Sequence, residues 1–180
     1  MKNFTRAALA LAVSIAVAGS GILMAGPLWA QAPQAKAAKE PPKPTLKASS
    51  ILIEPVDPGD VLMPPDFQVA VYEYLIEQVT KTKKFQHVYR SGDKAAASAP
   101  DLVTLRTRAE SFKKGSEKQR EVTTVSGFSK IKLKLLITDH DGKVLADPDV
   151  EGNVHFFGGN LNATYDFAKN VAEIIRNLFI

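Results

Sequence analysis

The sequence predicts an α+β domain, a two-layer sandwich in which two helices pack on one face of a mixed sheet of about five strands. An apolar run at 51–53, an amphipathic segment at 66–81 and a second apolar run at 85–90 give a strand–helix–strand order. Alternating apolar and polar residues mark further strands between 101 and 157, and an amphipathic segment at 160–179 closes the chain. The strand–helix–strand unit requires a parallel pair, whereas strands joined by tight turns pair antiparallel, so the sheet is mixed.

The first 30 residues have the pattern of a secretory signal peptide. Lys2 and Arg6 precede an uncharged apolar run that extends to about Leu28. Small residues then offer a cleavage site near Ala30 or Ala32. The run approaches the ~20 residues that span a bilayer, so a retained inner-membrane anchor is the alternative. Both interpretations place the domain outside the cytoplasmic membrane, and we expect it in the periplasm of a Gram-negative bacterium.

Residues 31–48 are rich in proline, alanine and lysine and have almost nothing to bury. Such a composition does not offset chain entropy and favours a flexible tether. Residues 49–180 are enough for one folded domain.

The first half of that domain contains the parallel pair. The continuous apolar run at 51–53 is typical of a buried strand, and the Pro/Gly/Asp-rich loop after it ends the strand. Asp66 is expected to cap the first helix, since its carboxylate can accept from a free amide of the first turn. After the strand at 85–90, a turn and the alanine-rich residues 94–99 are expected to form an exposed connection.

The second half is predicted to be antiparallel. Residues 101–112 alternate strictly, 113–120 form a polar tip, and a second strand runs from Glu121 to Thr138. Asp141-Gly142 indicates a hairpin turn, and 150–157 form the next strand. The final helix, 160–179, carries a double apolar stripe that is wide enough to cover a sheet.

Charge and cysteine content exclude several functions. The formal net charge of +4 comes from 23 Lys/Arg and 19 Asp/Glu. Six of the cations and one acidic residue precede position 48, which leaves 17 Lys/Arg and 18 Asp/Glu in the folded part. A nucleic-acid-binding domain carries its positive charge on the fold, so we expect no nucleic-acid partner. The chain has no cysteine, which excludes disulfides, thiolate metal sites, cysteine nucleophiles and lipid attachment through cysteine.

No pattern in the sequence predicts a catalytic residue, a cofactor or a metal. His87, His140 and His155 lie far apart and lack zinc-ligand spacing. The Asp139-x-Asp141 pattern resembles the start of a calcium loop but lacks the acidic residue at loop position 12, so the hairpin turn is favoured.

Two weaker motifs can be explained either as binding sites or as ordinary structural features. Asp147, Asp149 and Glu151 form an acidic cluster that either holds a weakly bound cation or lies on the surface. Gly158-Gly159-Asn160 precedes a helix and could present amides to an anion, but it lacks phosphate-loop spacing and is favoured as a strand-to-helix turn.

The order of elements, with Lys84-Phe85-x-x-Val88 and Ala99-x-Asp101-Leu102-Val103, resembles a family of small bacterial envelope proteins and lipoproteins. Their domain is similar to the TolB amino-terminal domain and to the curli-secretion lipoprotein. The resemblance covers about residues 49–180, and its motifs are structural. It implies an α/β envelope domain that serves assembly, secretion or protein contacts, without an active site. The absence of cysteine departs from the lipoprotein members and excludes an acylated anchor.

One surface is a candidate for partner binding. Basic residues on two neighbouring strands and their connection could form one cationic sheet surface. They are Arg106, Arg108, Lys113, Lys114, Lys118, Arg120, Lys130, Lys132 and Lys134. Such a surface either provides solubility and edge protection or contacts an acidic partner.

The leading hypothesis is therefore an exported, non-enzymatic periplasmic protein that binds an envelope protein or an anionic envelope surface. A membrane is involved only if the leader is retained. The alternative is a small-ligand binder or enzyme that uses the first strand's end, where Glu54, Asp57 and Asp60 cluster. The sequence does not specify the partner, the pathway or the oligomeric state.

Overall fold

A computed structural model describes residues 45–123, 126–154 and 159–180. The predicted signal peptide, residues 31–44 of the predicted tether, His155 and the end of the predicted last strand lie outside the described residues. In chain order the elements are β1 (Ser50–Ile53), α1 (Pro65–Thr82), β2 (His87–Arg90), a 3-10 helix (Lys94–Ser98), β3 (Leu102–Lys113), α2 (Glu117–Val122), β4 (Ser129–Thr138), β5 (Val144–Ala146), β6 (Asp149–Val154) and α3 (Asn162–Leu178).

The six strands form one mixed sheet. Its order is β2-β1-β3-β4, and both β5 and β6 pair with the far edge of β4. β1 lies parallel to β2 and β3, whereas β4 runs antiparallel to β3, β5 and β6. The Leu135 amide donates to Pro148 O between the two short strands, so β5 and β6 form one interrupted edge. The predicted α+β fold with a mixed sheet is confirmed.

The core lies between the inner face of the sheet and the two long helices. On the sheet it comprises Ile51, Ile53, Val103, Leu105, Ile131, Leu133, Leu135 and Ile137. On the helices it comprises Phe67, Val71 and Leu75 of α1 and Phe167, Val171 and Ile175 of α3. Each fully buried side chain of this size stabilises the fold by about 1.5–3 kcal/mol. The apolar stripes of both helices therefore face one side of the sheet, as predicted.

α3 packs closely against the β6 edge because of Gly152. A Cβ at this position would lie 2.1 Å from Ala163 O and 2.5 Å from the Phe167 Cβ. Only a residue without a side chain allows the helix backbone to approach the strand so closely.

The β2–β3 connection crosses β1, because β2 and β3 flank that strand. A right-handed crossover places it on the face of the sheet opposite α1. Its 3-10 helix is capped by Asp93, whose side chain accepts from the Ala95 amide, and Ala96 is only 5% exposed. The alanine-rich connection is thus mostly exposed, as expected, and Ala96 is its one buried residue among 94–99.

The start of α1 differs from the prediction. Pro65 occupies the first turn and Pro64 is the N-cap, so Asp66 lies inside the helix and no side chain caps it. Proline fixes φ at a helical value and lacks the amide that a first-turn residue leaves unpaired, so the helix begins before Asp66. The predicted cap is wrong, although an acidic residue in the first turn still suits the helix dipole.

The segment after β3 also differs. The predicted strand from Glu121 is wrong in its first part, because 117–122 form α2 and β4 begins at Ser129. Ser116 caps α2 by accepting from the Gln119 amide. Gly127 then turns the chain with a φ of +83°, a value that favours glycine.

The end of the predicted tether belongs to the described fold. The amides of Thr45 and Leu46 donate to Leu178 O, and the Ile180 amide donates to Leu46 O. Residues 45–46 are therefore held against the end of α3.

Candidate functional site

The outer face of the sheet, opposite α1 and α3, contains most of the charged residues that the sequence singled out. Because side chains alternate along a strand, residues between the buried positions of β3, β4 and β6 point to this face. Charged residues of the outer face are joined by those of the segment that follows β1 and continues beside β3. They are Glu54, Asp57, Arg106, Arg108, Glu110, Lys113, Lys130, Lys132, Lys134, Asp147, Asp149 and Glu151.

Two arginines of β3 pair with carboxylates that follow β1. Arg106 Nε and Nη2 donate to the two carboxylate oxygens of Glu54 at 2.8 and 2.9 Å. This bidentate hydrogen bond raises the pKa of Arg106. Arg108 Nε lies 3.7 Å from Asp57 Oδ2. The Asp57 amide donates to Thr107 O and the Ala109 amide donates to Asp57 O, so backbone pairing places these charges side by side.

The lysines of β4 pair with carboxylates on both neighbouring strands. Lys132 Nζ lies 2.7 Å from both Glu110 Oε2 and Asp149 Oδ2. The hydrogen bonds that Lys132 donates to Asp149 and to Glu110 raise the pKa of Lys132, and the bond from Lys132 lowers the pKa of Asp149. Lys130 and Lys134 pair with Glu151 and Asp147 at 2.8 and 3.7 Å.

The outer face is consequently balanced in charge. Among the described residues, five of its six cations, Arg106, Arg108, Lys130, Lys132 and Lys134, each have a carboxylate within 4 Å. The sixth, Lys113, ends β3 opposite Lys130 and has no such pair in the described part of the chain. The remaining predicted lysines, Lys113, Lys114 and Lys118, are exposed near the β3–β4 connection. The expectation that these residues bind an acidic partner stays a prediction, but the sheet strands by themselves do not form a cationic surface.

Arg120 does not belong to an exposed surface. It is 4% exposed, and its Nη1 donates to Gly127 O at 2.6 Å and to Asn160 Oδ1 at 2.9 Å. The prediction placed it on an exposed polar tip, whereas α2 turns it toward the start of α3.

The carboxylates of the β5–β6 edge form ion pairs across the sheet, and their spacing in the sequence is the signal that could have predicted these pairs. Asp147, Asp149 and Glu151, whose sequence pattern allows a weak cation site, each pair with a lysine of β4. Their spacing of two residues matches that of the lysines across the sheet, a pattern that favours cross-strand pairs. Among the described residues, no group of three or more His, Cys, Asp or Glu side chains is arranged to hold a metal.

The first strand's end lines a depression of about 330 Å³. Glu54 and Asp57 contribute to its lining together with Arg106 and Arg108, whereas Asp60 is exposed and does not. Asp57 Oδ1 also accepts from the Gly59 amide at 2.9 Å. The alternative function requires a concave surface here, and one exists, but both carboxylates are engaged by neighbouring residues.

A larger groove of about 590 Å³ lies on the outer face beside the β2–β3 connection. One wall is the alanine-rich segment from Ala96 to Asp101, and the opposite wall is the β4–β5 turn with Asp139 and His140. Thr104 of β3 and Thr138 of β4 lie between these walls and are direct cross-strand partners. No sequence pattern indicates this groove, because its walls meet only through the crossover and the hairpin.

The start of α3 is occupied by the protein's own carboxylate. The Asn160 amide donates to Glu117 Oε1 at 3.0 Å, while Gly159 O accepts from the Asn162 amide. The turn that precedes α3 thus uses this amide internally, which favours the structural interpretation over an anion site.

The fold is similar to that of solved bacterial proteins, at low sequence identity. PelC from Paraburkholderia phytofirmans, solved as a dodecamer, superposes with a TM-score of 0.54 at 11% identity, over 77% of this chain and 95% of PelC. A single-residue variant of that PelC, also a dodecamer, gives 0.53 at 11% identity over 78% and 94%. An uncharacterized protein gives 0.48 at 12% identity over 74% and 94%.

No protein-family model and no curated protein sequence matches the chain. The structural similarities show the fold alone, and the resemblance to the TolB amino-terminal domain and the curli-secretion lipoprotein stays a prediction. Within the described ranges, none of the helices combines the length and apolar character needed to cross a bilayer.

Proposed function

We propose that this chain is an exported protein of the bacterial envelope that has no catalytic activity and acts by binding protein, including further copies of itself. The observation that carries the proposal is the fold. It covers 95% of PelC, a protein solved as a dodecamer, so the same arrangement of strands and helices is compatible with self-assembly. The leader pattern supports export, and the proline-rich segment supports a tethered domain.

The charge balance of the outer face favours a protein partner over an anionic envelope surface. Attraction of a domain to anionic lipid depends on unneutralised Lys and Arg near the surface. Five cations of the predicted set are already paired with carboxylates. A protein surface, by contrast, can be recognised through apolar contacts and matched polar groups.

The start of α1 offers apolar side chains for such contacts. Leu62 is 94% exposed in the loop before the helix, and Val69 is 61% exposed on the helix itself. Apolar residues enrich the buried centre of protein interfaces, whereas isolated exposed ones are common. We therefore assign the region around Leu62 and Val69 as the contact to test first.

The test is the mass of the exported chain in solution. Sedimentation velocity and light scattering of protein purified from the envelope should give a mass of several times that of one chain, which is 19.5 kDa with the leader included. Replacing both residues, Leu62→Ser with Val69→Ser, should shift the distribution toward the monomer. Val122→Ser is the matched control, since Val122 is 84% exposed but lies on α2.

Two results would contradict the proposal. One is a monomer at every concentration together with repeated pull-downs from envelope extract that recover no partner. The other is turnover of a small substrate by the purified chain. If the mass is multimeric but unaffected by the double substitution, the function stands and only the assigned contact is wrong.

A further inference from the structure

The two edges of the sheet differ in how far their backbone hydrogen-bonding groups are occupied. On β6, side chains of α3 bind such groups. The Asn153 amide donates to Asp166 Oδ2 at 3.0 Å, and Asn170 Nδ2 donates to Glu151 O at 2.8 Å. An exposed strand edge is a template for pairing with another chain, and covering its backbone groups blocks that pairing. The β6 edge is therefore protected by α3.

The opposite edge is formed by β2, which pairs only with β1 among the described strands. The His87 amide donates to Ser49 O, so His87 and, two residues later, Tyr89 direct their backbone groups toward β1. Because adjacent residues of a strand direct these groups to opposite sides, those of Val88 and Arg90 point to the free edge. In the described part of the chain, neither the amide nor the carbonyl of Val88 has a partner on this side. The β2 edge is thus open to a further strand.

Helix α1 connects this edge to the contact assigned above. The Ser91 amide, just after β2, donates to Tyr72 Oη at 3.0 Å. Arg90 donates to both carboxylate oxygens of Glu73 at 2.6 and 2.7 Å. Val69 lies three residues before Tyr72 and four before Glu73, so it neighbours both on the helix surface. The free edge and the exposed Val69 therefore belong to adjoining parts of one surface.

The side chains of β2 are complementary to those of a second, antiparallel β2. A two-fold axis at Val88 places His87 opposite Tyr89 of the second copy and Gln86 opposite Arg90 of the second copy. Within one chain the rings of His87 and Tyr89 already stack, with centroids 5.9 Å apart and planes 22° apart. Cross-strand aromatic pairs stabilise a sheet, and in this register no like charges face each other.

We propose that the free edge of β2 binds the β2 edge of a second copy of this chain, so that two antiparallel strands join two sheets into one. This inference rests on the proposed function, because it names the backbone contact through which copies associate. The two Val88 residues exchange two hydrogen bonds, and each Arg90 amide donates to Gln86 O of the other copy. Residues 31–44 of the same chain suit this edge poorly, because four of these 14 residues are proline, which has no amide to donate.

A proline substitution tests the strand pairing. Val88→Pro removes the amide that the second copy needs, and proline is tolerated in an edge strand where the amide faces solvent. In sedimentation velocity the substitution should raise the dissociation constant of the paired copies at least about tenfold. Val88→Thr is the matched control, because it keeps the amide and the β-branched shape and should leave this constant unchanged. Urea denaturation checks that both variants fold.

A cysteine substitution tests the register independently. The chain has no cysteine, so Val88→Cys gives one thiol per copy. Facing residues of a hydrogen-bonded antiparallel pair have Cα atoms about 5.5 Å apart, which lies within the range of a disulfide. Oxidation should therefore give a covalent dimer on non-reducing electrophoresis. Val144→Cys is the control, since Val144 is 52% exposed but lies on β5 at the opposite edge, and it should stay monomeric.

The outcomes separate this inference from the proposed function. If the chain is multimeric but Val88→Pro assembles normally, or if Val144→Cys crosslinks as fast as Val88→Cys, the inference is overturned and the proposed function stands. A monomer at every concentration also overturns the inference, and it contradicts the proposed function only if pull-downs recover no partner either. If Val88→Pro leaves the mass unchanged but releases a partner recovered from envelope extract, a strand of another protein binds the edge and the assignment to a second copy is wrong.

Discussion

The inner and outer faces of this sheet are built from the same strands, but their side chains contribute differently to the stability of the fold. On β4, Leu133 and Leu135 point inward and are fully buried. Lys132 and Lys134, which alternate with them, point outward, are partly exposed and pair with carboxylates. Burial of the inner leucines stabilises the fold by about 1.5–3 kcal/mol each, while an exposed ion pair contributes about 0–1 kcal/mol. The inner face therefore determines stability, and the outer face is available for recognition.

The largest effect is expected from a matched pair of leucine substitutions on β4. Leu133→Ala on the inner face should lower the free energy of unfolding by about 2–5 kcal/mol, because it leaves a cavity. Leu136→Ala on the half-exposed outer face should lower it by only about 1 kcal/mol, because less apolar area is lost. Urea denaturation measures both. Equal losses would show that the outer face is as tightly packed as the inner one.

A smaller loss of stability is expected from a substitution at the point where the β3–β4 connection meets α3. Asn160 Oδ1 accepts from Arg120 Nη1 at 2.9 Å and from Ser129 Oγ at 2.6 Å. Asn160→Ala removes this acceptor from two buried donors and should lower the free energy of unfolding by about 1–3 kcal/mol. Amide exchange at Gly115, whose amide donates to Ser129 Oγ, should accelerate.

The control for this experiment is Asn177→Ala. Asn177 lies at the other end of α3, away from Arg120 and Ser129, and its substitution should change stability by less than about 0.5 kcal/mol. If the Asn160 and Asn177 variants unfold alike, the hydrogen bonds around Asn160 do not hold the connection in place.

The same region shows what the sequence could predict and what it could not. The helices and the strands with strict alternation were predicted closely, because burial on one face leaves a period of 2 or 3.6 in the sequence. The connection from 113 to 128 has no such period. Its conformation depends on long-range contacts such as that of Glu117 with the Asn160 amide, so α2 and the burial of Arg120 were not predicted.

For the candidate sites, too, local periodicity could be predicted from the sequence and long-range contacts could not. Alternation places Arg106 and Arg108 of β3 and the lysines of β4 at one type of strand position, whereas Lys113, expected in the polar tip, is the last residue of β3. Their neutralisation depends on strand order, which brings Glu54 beside Arg106 and Asp149 beside Lys132. The groove was not predicted, because it requires the crossover of the β2–β3 connection onto the outer face. Local patterns thus identify faces, whereas pairing across strands requires topology.

The smallest effect on stability is expected for the pair of Lys132 with Asp149, and the dependence of this effect on pH tests whether the pair forms. The hydrogen bond from Lys132 lowers the pKa of Asp149 in the folded chain. A carboxyl group with a lowered folded-state pKa adds stability above its unfolded pKa of about 3.9, and this stability is lost as the pH falls through the folded-state pKa. Asp149→Asn should therefore shift the urea midpoint slightly downward at about pH 7 and leave it unchanged at about pH 2.

A double-mutant cycle separates this ion pair from general surface effects. In a Lys132→Met background, the Asp149→Asn substitution should no longer change the midpoint at neutral pH, because the partner of the carboxylate is gone. Added salt should also reduce the effect of the single substitution, since the pair is exposed. A pH-independent loss, or an equal loss in the Lys132→Met background, would mean that the balance of the outer face does not arise from these specific pairs.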